Sequence, residues 1–409
     1  MDGRDMLRAA TAAGGKKPPR PRDIVYRRWA TAAGFADGTS DGATVTGDAL
    51  TIAGPVGQLT YADPYRGTTA SYEYATWTSP WVFPGFAATE LVPSWTADTP
   101  GGTWIQVEAR GVTALGNTTK WYNLGRWAAG DGQIFRASQR GQGDDDGSVA
   151  ADTFVASEGR GWTAYALRVT LLRPAGTAQT PALRSVGAMV SRLPEADSPA
   201  PSTPQAARGV VLDVPRYSQK IHIGHYPQWD NGGEAWCSPT STSMVLSYWG
   251  TGPTPEDYAW VDPGPDPWVD YAARHTYDYS YAGCGNWPFN TAYAGRYGLD
   301  AFVTRLRSLN EAELFIAAGI PLVVSASFRK DQIPGLTYGT SGHLMVLVGF
   351  TADGQPVLND PSSPTNDEVR KTVGRAEFEQ AWLSTSRGIG YVIRPRSVAL
   401  PDPPEQANW

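Results

Sequence analysis

The chain has 409 residues, 41% of them hydrophobic, and a formal net charge of −6 at pH 7, so two or three globular domains are expected. The acidic balance argues against nucleic acid as the main partner. No apolar run approaches the length of a membrane span, and two cysteines exclude a disulfide framework.

The first half of the chain reads as an all-β unit behind a short arm. Residues 1–22 contain a basic, proline-rich stretch and no long apolar segment, which predicts a disordered arm and no signal peptide. Residues 23–192 show short alternating apolar and polar runs between Gly, Pro, Asp and Thr turns, a pattern typical of a β-sandwich. Clear strand patterns occur at residues 103–109, 119–125 and 163–171.

The second half differs in pattern. Residues 193–208 are rich in Pro, Ser and Ala and predict a semi-extended linker. Residues 209–396 mix helical and strand patterns and predict an α+β domain, followed by a tail at 397–409. The helical patterns lie at residues 237–249 and 311–318, and the strand patterns at 322–328, 343–350 and 390–393.

Cys237 is placed where a helix is expected to begin. Ser238 can cap that helix, and Pro239 fits its first helical position. The dipole and free amides at a helix N-terminus favour the thiolate, so Cys237 is a candidate nucleophile. A buried structural cysteine fits the local sequence equally well.

A cysteine nucleophile needs a base and a group that orients the base. His343 begins an apolar strand, and Asp360 follows the returning strand, before Pro361. A two-residue turn at Asp353 and Gly354 would pair His343 with Pro364, four positions beyond Asp360. A His–Asp contact therefore requires a bulge or a strongly twisted strand pair. A core histidine and a turn-forming aspartate remain the alternatives.

Four short segments together carry a resemblance to a known family. They are residues 214–219 with Gln219, 236–241 with Cys237, 342–344 with His343 and 359–361 with Asp360. In this order they resemble papain-like cysteine peptidases, and more narrowly the stand-alone, bacteriocin-processing (double-glycine leader) peptidase-like type of actinobacteria. Residues 285–293 and 319–325 are similar to the same branch, and about half of the chain is covered.

The resemblance implies a role for each residue of the motifs. Cys237 would be the nucleophile, His343 the base, and Asp360 the group that orients His343. Gln219 and the amide of Cys237 would hold the oxyanion. Trp236 and Trp287 would contribute to the floor of the cleft, although a core position is the more usual one for such aromatic residues. The substrate would be a peptide or protein, and no cofactor is expected.

The same branch suggests what the first half does. Residues 77–80 and 94–97 resemble the accessory sandwich that often precedes the peptidase, which implies a galactose-binding-like jelly roll. Its Trp and Tyr residues would stack on a cell-wall or other glycan, or else fill the core of the sandwich. This organisation suggests a secreted or cell-surface protein, although no signal peptide is visible.

Two further clusters contain side chains that can bind metal ions. Residues 143–147 offer carboxylates to calcium but lack the spacing of a known loop, so a solvated turn is favoured. His222 and His225 lack a helical pattern and an evident third ligand. No metal site is therefore predicted from the sequence.

Two alternatives to the peptidase remain open. A disulfide between Cys284 and Cys237 would remove the nucleophile and leave a catalytically inactive surface or glycan-binding protein. Alternatively, the same thioester chemistry would end in acyl transfer to an amine rather than in hydrolysis.

Overall fold

The structure is a computed structural model that describes residues 22–194 and 199–409. The arm predicted for residues 1–22 lies outside the described residues except for its last residue. The elements of the first half are β1 Asp23–Ala30, α1 Thr31–Ala36, β2 Thr39–Asp41, β3 Ala43–Thr46, β4 Ala49–Ile52, β5 Gly57–Asp63, β6 Thr68–Thr78, β7 Glu90–Asp98, β8 Trp104–Thr113, β9 Tyr122–Trp127, β10 Gly147–Ala150, β11 Thr153–Ala156, β12 Trp162–Pro174 and β13 Ala182–Arg192.

These strands form two antiparallel sheets. One has the order β10-β11-β7-β13-β4-β3, with β1 also paired to β13, and the other has the order β2-β6-β12-β8-β9, with β5 paired to β6. Aromatic contacts join the sheets, because Trp29 lies against Trp77 and Phe154 is stacked on Trp162. The two sheets thus enclose a common core.

Most tryptophans of the first half are buried, five of them in that core and Trp104 in a separate smaller cluster. Six of them are at most 2% exposed. They are Trp29, Trp77, Trp95, Trp104, Trp127 and Trp162. For these six side chains the structure agrees with the core interpretation rather than with stacking on a glycan.

The second half is built on a further sheet. Its elements are α2 Cys237–Tyr248, α3 Pro267–Thr276, α4 Trp287–Gly295, β14 Asp300–Arg305, α5 Leu309–Ala317, β15 Leu322–Phe328, β16 Thr340–Phe350, β17 Pro356–Asn359, β18 Arg370–Thr372, α6 Arg375–Thr385 and β19 Ile389–Arg394, with 3-10 helices at Lys220–His222 and Asn366–Glu368. The strands are antiparallel in the order β14-β19-β15-β16-β17-β18. Helix α2 packs on β16, and the Ser241 hydroxyl donates to the carbonyl of Leu344.

The two halves pack against each other through one hydrophobic cluster. Phe289 of α4 lies against Trp95 and Trp127 of the first half. The side chain of Ser94 accepts a hydrogen bond from the amide of Val303 at 2.8 Å. Arg136 of the first half is fully buried and donates to carbonyls of both halves.

Segments outside the two predicted domains are also packed. In the predicted linker, the amides of Gln205 and Ala207 donate to the buried carboxylate of Glu313. In the predicted tail, Trp409 packs edge-on against Phe315. None of the helices in the two described ranges is long and apolar enough to cross a membrane.

Candidate active site

Cys237 is the first residue of helix α2, and Trp236 occupies the N-cap position without a side-chain hydrogen bond. The prediction that Ser238 caps this helix is wrong, because the Ser238 hydroxyl instead lies 3.0 Å from the hydroxyl of Tyr391. Pro239 still falls in the first turn, where its missing N–H costs no intrahelical hydrogen bond. For the same reason the amide of Cys237 has no acceptor within the helix and is free to serve a ligand.

His343 and Asp360 are brought together by strands β16 and β17. Phe350 pairs with Pro356, and beyond a bulge at Val348 the residue opposite Asn359 is Val346. Nε2 of His343 lies 2.7 Å from Oδ1 of Asp360. The prediction of a tight two-residue turn at residues 353–354 is therefore wrong. The last pair of residues before the loop is Phe350 and Pro356, and residues 351–355 form the loop. The bulge required for the His–Asp contact is present.

The charges of this pair are strongly coupled. Burial opposes a charged imidazole, but the hydrogen bond to Asp360 and the thiol of Cys237 raise the pKa of His343 to about 10. Burial likewise favours the neutral acid, yet hydrogen bonds from His343, the Ser362 amide and the Tyr338 hydroxyl lower the pKa of Asp360. Because Asp360 occupies Nε2, the nitrogen left to face Cys237 is Nδ1.

Tyr338 completes this arrangement and was not anticipated from the sequence. Its hydroxyl donates to Oδ2 of Asp360 at 3.1 Å, and its ring stands edge-on to the His343 ring, with centroids 5.9 Å apart. Tyr338 lies in the connection between β15 and β16, which carries no periodic pattern that would single it out. Its position becomes apparent once the two strands are paired.

Gln219 lies at the other side of Cys237, just before the 3-10 helix Lys220–His222. Its side-chain nitrogen donates to the carbonyl of Glu234 at 2.8 Å, whereas its side-chain oxygen is buried without a partner among the described residues. Gly233 is required here, because a Cβ at this position would lie 2.2 Å from the carbonyl oxygen of Gln219. The second amide hydrogen of Gln219 is left for a ligand in the cleft.

A cleft of about 1120 Å³ connects these groups. Its lining includes Gln219, Cys237, His343 and Asp360, as well as Trp287. The first half of the chain supports this wall, because a carboxylate oxygen of Asp152 accepts a hydrogen bond from the amide of Trp287 at 2.7 Å. The structure therefore brings the four residues of the sequence motifs to one cleft.

Trp236 is placed differently from Trp287. It is fully buried, packs with Val269, Ala273 and Cys284, and donates its indole N–H to the carbonyl of Trp229 at 2.6 Å. It does not line the cleft, so the predicted substrate contact of Trp236 is corrected to a core position. As the N-cap residue of α2, Trp236 anchors the backbone that precedes Cys237.

Cys284 is not joined to the candidate nucleophile. Both thiols are free, and Cys284 is completely buried with its sulfur 3.4 Å from the carbonyl of Ala273. Burial raises the pKa of the Cys284 thiol well above its ordinary value. A buried neutral thiol of this kind is unreactive in the folded state.

The acidic segment 143–147 has partners of its own. Asp144 forms an ion pair with Lys120 and accepts the hydroxyl hydrogen of Tyr122, and Asp146 forms an ion pair with Arg160. These contacts agree with a turn held by local hydrogen bonds and ion pairs. A different group of candidate metal ligands is formed by His222, His225 and Asp270.

Comparison with known proteins assigns each half separately. Residues 25–191 match the model of the Peptidase C39 N-terminal domain, and residues 211–389 match that of the Peptidase C39 like family. No curated protein matches the chain.

Among solved structures, the enzymatically active domain of tailspike protein 4 from bacteriophage CBA120 is 10% identical to the chain, with a TM-score of 0.17. That likeness covers 40% of this chain and 19% of the tailspike chain, and it carries no argument about function.

Proposed function

The chain belongs to the C39-type peptidase family, and from this premise we propose that it is a papain-like cysteine peptidase that hydrolyses amide bonds of a peptide or protein. One observation carries the proposal. The imidazole of His343 is held by Asp360 on one side and interacts with the thiol of Cys237 on the other, at the wall of an open cleft. A base that is both oriented and in contact with a nucleophile is the basic requirement of covalent amide hydrolysis.

The first chemical step is the attack of Cys237 on the substrate carbonyl. The positive charge on His343 and the start of helix α2 both favour the thiolate, which is the attacking form of cysteine. The new bond joins sulfur to the carbonyl carbon, and the carbonyl oxygen takes up the negative charge. The backbone amide of Cys237 and the side-chain amide of Gln219 stabilise that oxyanion.

The following steps return the enzyme to its starting state. His343 gives its proton to the leaving nitrogen, the carbon–nitrogen bond breaks, and a thioester on Cys237 remains. His343 then takes a proton from water as the water attacks the thioester. The carbon–sulfur bond breaks, a carboxylic acid leaves, and the thiolate–imidazolium pair forms again.

Two observations count against the inactive-protein alternative. Cys284 is buried away from solvent with a free thiol, and a bulge in β16 accounts for the contact between His343 and Asp360. The hydrolase is therefore preferred. Acyl transfer uses the same thioester and differs in the acceptor, so it is distinguished by the product formed in the presence of an added amine.

The first half serves as an accessory unit, for which a galactose-binding-like jelly roll that targets the enzyme to a glycan is proposed. Phe83 and Trp81 are its exposed aromatic side chains between β6 and β7, and they support such a contact. Binding to insoluble cell-wall glycan would be compared between the wild type and Phe83→Ala. Equal retention of both proteins would contradict this part of the proposal.

A secreted or cell-surface location is part of the same proposal, because an accessory sandwich joined to a peptidase suits an extracellular substrate. Fractionation of native cells with an antibody against the chain tests it. Detection in the medium or at the surface would support the proposal, and confinement to the cytosol would overturn it.

The activity itself is tested with a peptide library. The purified chain is incubated with the library, and new amino termini are identified by mass spectrometry, with Cys237→Ala as the control. Termini that depend on Cys237 would establish a cysteine peptidase. Equal patterns for the wild type and Cys237→Ala would overturn the proposal.

A further inference from the structure

Three ligating side chains converge outside the cleft. His222 ends the 3-10 helix Lys220–His222, His225 follows in the next turn, and Asp270 lies on helix α3. The candidate ligand atoms of the three residues all lie within 4.8 Å of one another. Nδ1 of His222 is 2.8 Å from Oδ2 of Asp270, and Nδ1 of His225 is 2.9 Å from Oδ1.

Nδ1 of His225 is hydrogen-bonded to Oδ1 of Asp270, but three other buried polar atoms of this cluster have no hydrogen-bond partner among the described residues. His222 is completely buried, and neither of its ring nitrogens has a hydrogen-bond partner among the described residues. Oδ2 of Asp270 also has none, because the 2.8 Å contact with His222 does not meet hydrogen-bond geometry. Buried polar atoms without partners are costly, so the arrangement favours a ligand that these atoms would bind.

The chemistry of the cluster indicates which ligand these atoms would bind. Two imidazoles and one carboxylate are donors that Zn²⁺ and similar first-row ions favour. Ligand atoms of a tetrahedral zinc ion lie about 3.3 Å apart. That distance falls between the 2.8 and 2.9 Å contacts of this cluster and its upper limit of 4.8 Å, so small side-chain movements suffice to place the ligands around an ion. We propose that His222, His225 and Asp270 bind a divalent first-row metal ion, such as zinc. His225 is 34% exposed at its side chain, so a water molecule can reach the fourth position.

The proposed metal site is separate from the catalytic cleft, since none of its three residues lines that cleft. It is nevertheless connected through backbone hydrogen bonds to Gln219, the proposed oxyanion donor. The amide of His222 donates to the carbonyl of Gln219, and the amide of Gly233 donates to the carbonyl of His222. An ion bound by His222 and Asp270 would therefore hold the backbone segment that carries Gln219 in place against helix α3.

The competing explanation is a cluster without an ion, in which Asp270 accepts hydrogen bonds from both histidines. Metal content distinguishes the two. The full chain is stripped with a chelator, incubated with zinc sulfate, separated from free zinc and analysed by elemental mass spectrometry. One zinc ion per chain is expected, and binding should raise the thermal unfolding midpoint.

The active-site thiol requires its own control, because a thiolate beside an imidazole also binds zinc. The titration is therefore repeated in Cys237→Ala, which should bind the ion as the wild type does. Cobalt replaces zinc in a parallel experiment. Visible absorption typical of tetrahedral cobalt without a thiolate charge-transfer band would show that the ligands are nitrogen and oxygen atoms.

Two variants complete the test. His225→Ala removes a partly exposed ligand and should weaken zinc binding by about 10-fold or more, whereas Glu256→Gln, an exposed acid on the preceding loop, should bind as the wild type does. Asp270→Asn should also lose the ion. If that variant does not fold, the wild-type stoichiometry and His225→Ala decide the question. Absence of bound zinc, its loss in Cys237→Ala or its full retention in His225→Ala would each overturn the proposal.

Discussion

The contact between His343 and Asp360 depends on one extra residue in strand β16. Without the bulge at Val348, the pairing of Phe350 with Pro356 would place Asp360 opposite Val346, whose side chain points to the other face of the sheet from His343. With the bulge, extending the register by one residue beyond the pair of Val346 and Asn359 places Asp360 opposite Met345, which shares a face with His343. Diagonal neighbours on one face are close enough for side chains to meet.

The first prediction concerns the pH dependence of Cys237 alkylation. Since the pKa of His343 is raised to about 10, the imidazolium beside Cys237 persists through neutral pH and is lost as pH rises through about 10. Iodoacetamide should therefore label Cys237 rapidly below neutral pH. In His343→Ala the rate at pH 6 should fall about 100-fold or more, towards that of an ordinary thiol.

Mass spectrometry of the labelled peptides measures both rates and contains an internal control. Cys284 is completely buried and should remain unlabelled until the protein is unfolded. Slow labelling of Cys237 in both the wild type and His343→Ala would contradict a Cys–His pair.

The second prediction links the same charges to stability. The pKa of His343 rises from 6.5 to about 10 on folding, so its contribution to stability is fully present below pH 6.5 and is lost as pH rises through about 10. Asp360→Asn removes the carboxylate that supports the raised pKa. We expect the thermal unfolding midpoint of the wild type to decrease as the pH is raised from 6.5 to about 10. The midpoint of Asp360→Asn should decrease less over the same pH range. Thermal scans in matched buffers measure both midpoints.

The same scans carry a control for Asp360→Asn. Asp353→Asn changes an exposed carboxylate in the neighbouring loop and should preserve the wild-type pH profile. Parallel profiles for the wild type and Asp360→Asn would argue against the coupling of His343 to Asp360.

The local sequence predicted the elements of the site better than it predicted their contacts. Helix α2 and strands β15 and β16 were expected from periodicity, because buried faces impose it. The approach of Asp360 to His343 could be stated only as a requirement for a bulge, since no residue type marks Val348 as the extra position. Helix start signals also misplaced the N-terminus of α2, because proline is compatible with several positions in a first turn.

Long-range contacts were not accessible from the pattern at all. Asp270 is 45 residues from His225, and the two meet only because helix α3 packs beside the 3-10 segment. In the same way, periodicity identified an all-β unit and an α+β unit but not their shared core. The contacts of the predicted linker with Glu313 depend on tertiary packing, which proline-rich composition does not encode.

The third prediction tests the oxyanion donor. Gln219→Ala removes the side-chain amide that faces the cleft beside Cys237, and the peptidase kcat should fall about 100- to 1,000-fold. The alkylation rate of Cys237 should stay near the wild-type value, because iodoacetamide does not form a tetrahedral oxyanion. Arg216→Ala, at an exposed position three residues upstream that does not line the cleft, is the control and should retain the wild-type kcat. Equal losses of kcat and thiol reactivity in Gln219→Ala would indicate a general structural defect instead.

The fourth prediction assigns a positioning role to Tyr338. Tyr338→Phe removes the hydroxyl that donates to Oδ2 of Asp360 but keeps the ring that lies against His343. A hydrogen bond to a charged group contributes about 1.5–3 kcal/mol, so kcat should fall about 10-fold or more. The pH dependence of Cys237 alkylation should shift as well, which a purely structural tyrosine would not cause. An unchanged profile together with unchanged kcat would exclude this role.

The last prediction concerns the joint between the two halves. Arg136 is completely buried, and its guanidinium donates to the carbonyls of Ala128, Ala129 and Gly130 in the first half and to that of Arg274, at 2.8 Å, in the second. Arg136→Met leaves these carbonyls without their donor and should destabilise the chain by about 3 kcal/mol or more. The surface variant Arg184→Met, which breaks an exposed ion pair with Asp98, should cost at most about 1 kcal/mol. Denaturant unfolding measures both, and equal midpoints for the two variants would show that Arg136 does not hold the halves together.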